Sequence, residues 1–350
     1  MDNKKPTVAI TVGDPAGIGP EIIIKALMNK QIYNICRPLV VGDSKILARS
    51  IKILNTNHNL KSIFDVEQAE FKWGIIDIID LKSVDINTLE YGKGSATSGR
   101  IAFETIKKAI KLALDKKVDA NINCPISKKY IDIAGFNFLG HTEVYAKFTN
   151  TKDYAMMLIK DNLRVAHVST HVSLREACNA INKDRVLKVI ELSNELCKKI
   201  NIGIPKIGVA ALNPHSGEGS LLGWEEEREI IPAIEEARTR NINVEGPIPA
   251  DIIFAKAKTG FYDVVVAMFH DQGHIPLKLL GFEWDNMSKK FKSVSGVNIT
   301  LGLPIIRASV DHGTAFDIAG RGIASEESLI CAIEYGAKLA KSTSVGNKNG

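Results

Sequence analysis

Asp263-Val264-Val265-Val266-Ala267-Met268 runs without interruption into Phe269-His270-Asp271-Gln272-Gly273-His274-Ile275-Pro276-Leu277-Lys278. The first six residues are a short, apolar, largely β-branched run, the composition of a strand buried on both faces. His270 therefore follows directly on a buried strand's carboxyl end. Two more histidines are delivered the same way. Residues 163–170 form an apolar run leading to His171, and residues 206–212 lead into Asn213-Pro214-His215. In open α/β sheets the carboxyl ends of the strands bound the ligand crevice. Three imidazoles brought to that edge make a candidate site for zinc or a similar cation. A single histidine after a strand is more often a hydrogen-bonded structural residue; the repetition is what raises the metal reading.

Working outward, the same strand-then-helix pattern recurs. Residues 7–12 read as a strand, followed by the turn Gly13-Asp14-Pro15-Ala16-Gly17-Ile18-Gly19-Pro20-Glu21 and an apolar helix to about Leu27, with Pro20 suited to the first helical turn. Residues 38–42, 75–79 and 118–124 read as further strands. Residues 45–54 and 97–114 carry helical spacing between them. Residues 154–159 and 163–170 are split by Lys160-Asp161-Asn162, a hairpin signal. Helices are expected near 174–181, 185–200 and 225–240, and residues 299–306 read as one strand. Such alternation specifies a mostly parallel, doubly wound α/β fold. With no Ser/Gly/Pro-rich linker, residues 1–340 are expected to form one unit of two interleaved lobes, leaving 341–350 as a disordered tail. Residues 283–292 read as a mobile basic loop.

The bulk properties exclude several classes. A chain of 350 residues, 45% hydrophobic and 24% charged, is an ordinary globular sequence. The net charge of +5 is dispersed, which argues against nucleic acid as a partner. Five scattered cysteines fit neither a disulfide framework nor a paired zinc motif. No apolar run is long enough to span a bilayer and no signal-peptide core is present, so a cytoplasmic location without membrane association is expected.

Other polar groups stand out against apolar surroundings. The Gly13–Glu21 turn is not the dinucleotide fingerprint; it is either a tight connection or an anion site at a helix N-terminus. Gly140-His141-Thr142-Glu143 opens a helix, where Thr142 is either the N-cap or a ligand for phosphate or carboxylate. Lys278, Asn298 and Arg307 together suit an anionic, phosphate-bearing ligand. Asp311-His312-Gly313-Thr314-Ala315-Phe316-Asp317-Ile318-Ala319-Gly320-Arg321-Gly322 is the most specific stretch. It resembles the adenine-and-ribose loop of isocitrate and isopropylmalate dehydrogenases, which bind NAD without the usual glycine motif.

The set GDPAGIGPE, GHTE, NPHSGEG, FHDQGHIPLK, GVNITLGLP and DHGTAFDIAG, spread over nearly the whole chain, resembles the 4-hydroxythreonine-4-phosphate dehydrogenase (PdxA) family. That resemblance implies an isocitrate/isopropylmalate dehydrogenase-like fold of two intertwined α/β lobes with a cleft between them, and a homodimer with a shared active site. It implies one divalent ion per subunit (zinc, cobalt, manganese or magnesium) on His171, His215 and His270. It places substrate on His141, Thr142, Lys278, Asn298 and Arg307, with Asp251 and Asp271 as acidic catalytic positions beside the metal. NAD, with NADP as the other candidate, would lie on Asp311, His312, Gly313, Thr314 and Asp317.

Within the family, Tyr154-Ala155-Met156-Met157-Leu158, the pair Thr170-His171 and the loop after Gly281 look more like the D-threonate/D-erythronate 4-phosphate dehydrogenase branch than the pyridoxal phosphate branch acting on 4-phosphooxy-L-threonine. The implied reaction is NAD-dependent, metal-dependent oxidation of a 4-phosphorylated hydroxy acid with decarboxylation. A metallohydrolase using the three histidines is the rival class, and it leaves residues 311–322 unexplained.

Overall fold

Thr7-Val8-Ala9-Ile10-Thr11 is buried at every position, and the strand it forms lies inside a parallel sheet, as its continuous apolar character requires. The computed structural model describes residues 5–82, 85–138, 140–286 and 290–346. In chain order its first strands are β1 (Thr7–Thr11), β2 (Arg37–Gly42), β3 (Asn59–Ile63), β4 (Ile75–Asp80) and β5 (Ala120–Asn123). Then come β6 (Ala155–Lys160), β7 (Leu163–His167), β8 (Ile207–Ala210), β9 (Val244–Ile248) and β10 (Val264–Ala267). β11 (Phe282–Asp285), β12 (Lys290–Val294), β13 (Val297–Leu301) and β14 (Ile306–Val310) complete the set.

The chain forms two compact units. The first comprises residues 1–151, 293–297 and 303–350, the second residues 152–292 and 298–302. In the first unit the strand order is β3-β4-β2-β1-β5-β14, and every pairing is parallel. Helix Ala96–Leu114 starts at a reciprocal cap between Ser95 and Ser98 and buries Ile101, Ile106, Ala109 and Ile110 at helical spacing. Ala109 and Ala113 join Leu39, Val41 and Ile79 in one core cluster. In the second unit the order is β13-β6-β7-β10-β8-β9. Here β6 and β7 form the expected antiparallel hairpin, with Asp161 in its turn at φ 52°. β7, β10, β8 and β9 run parallel.

Three expectations need correction. The single strand expected over 299–306 is two strands, β13 and β14, because Gly302 sits at φ +85° against Asp153 O, where a Cβ would come within 2.3 Å, and Pro304 carries no N–H for a ladder. The loop expected over 283–292 is instead built around β11 and β12, which pair as a two-stranded sheet; residues 287–289 of it lie outside the described residues. Residues 341–346, expected to be disordered, continue the helix Glu327–Gly346; residues 347–350 lie outside the described residues. No helix among the described residues is long and apolar enough to cross a membrane.

Candidate active site

In the second unit the three histidine-bearing segments leave three neighbouring strands. β10 lies between β7 and β8, parallel to both, so the loops carrying His171, His215 and His270 emerge at the same sheet edge. His270 is the first residue of helix His270–Gly281. Its ring centre lies 5.7 Å from that of His171. Both line a pocket of about 290 Å³ with Thr170, Val172, Phe269 and Asp271. His270 Nδ1 lies 2.6 Å from Asp271 Oδ1. This contact holds the Asp271 carboxyl below its ordinary range and orients the ring with Nε2 as its ligand or base atom.

This pair fits cation chemistry, since a carboxylate on the far nitrogen is the usual companion of a metal-bound imidazole. The third member does not join it: no group of three metal-ligating side chains is assembled among the described residues. His215 sits on an exposed turn in left-handed backbone, φ 52°. Asp251 is exposed in the first turn of helix Ala250–Lys258. Lys278 lies two turns beyond His270 on one helix face, its Nζ 5.3 Å from the Phe282 ring centre.

Three residues without an assigned role at the sequence level prove to organise this edge. Gln272 accepts from Met268 N and donates to Ala211 O, each at 2.7 Å, tying the ends of β10 and β8 together. Glu226, fully buried, accepts from the backbone N–H of Leu212 and Asn213 and from Asn213 Nδ2, fixing the His215 loop. His274 stacks on His270 with ring centres 3.6 Å apart and donates from Nδ1 to His270 O. Gln272 and His274 stood inside the quoted motif; Glu226 lay in a charged helix with nothing to single it out.

Burial pushes His167 down to about 3 and His274 down to about 4. Both fold as neutral rings and take up protons on unfolding below their ordinary value near 6.5. Their contribution to stability is complete above pH 6.5 and is lost as pH falls toward 4 and then 3, each by up to about 1.4 kcal/mol per pH unit. Denaturant unfolding between pH 7 and 4 measures this slope, and His167→Gln should flatten it. An unchanged slope in that variant would discard the assignment for His167.

The first unit carries a second polar set. Arg307 on β14 is 2% exposed. Its Nε donates to Asn123 Oδ1 at 3.2 Å, and Tyr145 lies with its ring 5.9 Å from the guanidinium carbon. Asn123 Nδ2 in turn donates to Thr11 Oγ1 and Tyr145 Oη, both at 3.1 Å. Burial lowers Arg307 to about 10, so it remains a cation at neutral pH. His141 opens helix His141–Phe148, capped by Gly140 rather than by Thr142. Burial, then the Arg307 charge, holds His141 neutral. Its Nε2 is buried without a protein partner. A buried cation and an unspent imidazole nitrogen suit an anionic, oxygen-rich ligand. Asn298, on β13 of the second unit, is half-buried.

Residues 311–322 are tethered at several points. Asp311 N donates to Ser328 Oγ, and Thr314 O accepts from Ile18 N at 3.0 Å. That bond satisfies the N–H of Ile18, at the start of helix Gly19–Met28, with the chain's own carbonyl. His312 Nδ1 contacts Gly313 O, while its Nε2 is buried without a protein partner. Gly313 is exposed with nothing within 4 Å of the position a Cβ would take, and Asp317 is exposed. An open backbone flanked by a carboxylate and an imidazole fits a nucleotide.

A family model described as "Pyridoxal phosphate biosynthetic protein PdxA" matches residues 34–336. The chain is 46% identical over 341 residues, 97% of its length and 99% of the relative's, to D-threonate 4-phosphate dehydrogenase of Cupriavidus necator. A solved 4-hydroxythreonine-4-phosphate dehydrogenase from Burkholderia phymatum is 42% identical with a TM-score of 0.81, covering 96% of this chain and 98% of that one. Its counterpart from Klebsiella pneumoniae is 40% identical with a TM-score of 0.82, covering 96% and 99%. With this likeness over the full chain and the polar groups just described, the protein belongs to the PdxA family and is a dehydrogenase acting on a CH–OH group.

Proposed function

We propose that the enzyme oxidises the secondary alcohol of a 4-phosphorylated D-threonate or D-erythronate with NAD, and that the resulting β-keto acid loses carbon dioxide. The observation that carries this choice is the 46% identity, over 97% of the chain, to a relative named for D-threonate 4-phosphate. The solved relatives named for 4-hydroxythreonine 4-phosphate, at 40–42% identity, favour the second reading, 4-phosphooxy-L-threonine. Enzyme action as a homodimer is supported by two apolar side chains left exposed one turn apart on helix His270–Gly281, Ile275 and Leu279.

In this reading Arg307 binds an anionic group of the substrate as a permanent charge, and His141 meets a neighbouring oxygen through Nε2. Thr142, Lys278 and Asn298 complete the substrate contacts. Asp271 keeps His270 in one tautomer, and Asp271, Asp251 or a water takes the hydroxyl proton. NAD, held by Asp311, His312, Gly313, Thr314 and Asp317, would accept the hydride. A divalent cation at His171, His215 and His270 would supply Lewis acidity to the reacting hydroxyl.

The test is an assay panel: purified enzyme, NAD and a divalent salt with the 4-phosphates of D-threonate, D-erythronate and L-4-hydroxythreonine. A hydroxy-acid phosphate should show the highest kcat/KM, by about tenfold or more over the amino acid. A site built for a neutral hydroxyl is left with an unmatched group by an ammonium, at a cost of about 1–3 kcal/mol. A tenfold advantage for the amino acid overturns the substrate assignment. No reduction of NAD with any of the three overturns the reaction.

A further inference from the structure

Glu21 is a carboxylate with no exposure to solvent, placed in the first turn of helix Gly19–Met28 and with no part in the proposed reaction. Its two oxygens accept from backbone N–H groups 299 and 301 residues further along the chain: Oε1 from Gly320 and Oε2 from Gly322, the latter at 2.9 Å. Both glycines hold left-handed backbone, φ +80° and +67°. The same turn grips the other end of that loop. Ile18 N donates to Thr314 O, and a Cβ on Gly17 would come within 2.8 Å of Thr314 O. Ala16 O accepts from Gly92 N at 2.8 Å, and Gly92 itself lies under Phe316 O. One turn further on, Lys25 Nζ donates to Ala324 O at 2.7 Å.

Burying an ionised carboxylate is costly, and a connection between strand and helix does not require one. Here the cost is offset by charge-assisted bonds to two converging N–H groups, an arrangement that selects one backbone conformation of the segment that follows Asp317. Both ends of residues 314–322 are thereby fixed to the first helix, while Gly313 stays open.

We propose that Glu21 is a positioning residue for cofactor binding, acting through the backbone of residues 311–322. The proposal rests on the reading of Asp311 to Asp317 as the nucleotide-binding loop. It gives the Gly13–Glu21 motif a role beyond making a tight turn.

Glu21→Gln is close in size, but its amide nitrogen sets a donor against one of the two N–H groups. NADH fluorescence titration should show a dissociation constant raised about tenfold or more, the scale of one buried N–H left without its acceptor. The KM for NAD should rise in step, while the KM for the phosphorylated substrate and the kcat at saturating NAD change less than threefold. Amide exchange should quicken at Gly320 and Gly322 and stay unchanged in β1 and β5. Glu21→Asp, which keeps the charge on a shorter stem, should fall between wild type and Glu21→Gln. An unchanged NADH dissociation constant in folded Glu21→Gln overturns the proposal and leaves the cofactor loop standing. Loss of the folded state in both variants also overturns it, since the carboxylate would then support the whole unit. If wild-type enzyme binds no NADH, the loop assignment fails and the proposal falls with it.

Discussion

Arg307→Met is expected to lower kcat/KM for the phosphorylated substrate by about 10³-fold while leaving the protein folded. Arg307 is nearly sealed from solvent, and its charge survives burial. A cation held in a site of low dielectric binds an anion far more strongly than one in water. Removing one member of such a buried charge pair costs about 3–5 kcal/mol. That is two to three and a half decades in kcat/KM at about 1.4 kcal/mol each. Stability should move much less. Asn123 Oδ1, one of the groups Arg307 meets, loses a donor, but an expensive buried charge is removed at the same time. Methionine fills the space of the aliphatic stem. Arg307→Lys should not rescue activity, because an ammonium on a linear stem cannot reproduce the guanidinium fork. Steady-state kinetics beside denaturant unfolding measures both effects. A variant within tenfold of wild type in kcat/KM would remove Arg307 from the substrate site.

Removing His270 is the second large effect. His270→Ala should cut turnover by about 10³-fold, whether its Nε2 holds the metal or its ring only orients Asp271 for the hydroxyl proton. The two roles separate by metal content. As a ligand, His270→Ala, and likewise His171→Ala and His215→Ala, should copurify with less zinc, cobalt, manganese or magnesium by elemental analysis. A chelator should inactivate wild type reversibly. Asp271→Asn, which disturbs only the orientation of the ring, should cost about 10–100-fold. Full activity after chelation in any of the three alanine variants would exclude that histidine from the metal site. His215 is the sharpest case, because its ring is not gathered with the other two.

The alternation of strands and helices, the parallel sheet and the hairpin at Asp161 were legible because burial enforces a period in the sequence wherever one face or both must be apolar. The delivery of three histidines to one sheet edge was equally legible, since the residue after a buried strand has nowhere else to go. What failed were local breaks. The run over 299–306 is apolar enough to be one strand, and it is divided where Gly302 turns at positive φ against Asp153 O, with Pro304 close behind. The β11–β12 pair likewise depends on a partner strand that composition cannot announce.

The sequence by itself determined the fold class, the motifs and the residue types that carry charge, because these follow from periodicity and chemistry along the chain. Only the tertiary structure decided which groups act together. Glu21 meets Gly320 and Gly322 across 299 and 301 residues, Arg307 meets Asn123 across 184, and Glu226 holds the His215 loop from a neighbouring helix. Such pairings leave no periodic trace, since a buried carboxylate or guanidinium is satisfied by whichever partner the packing brings within 3 Å or so.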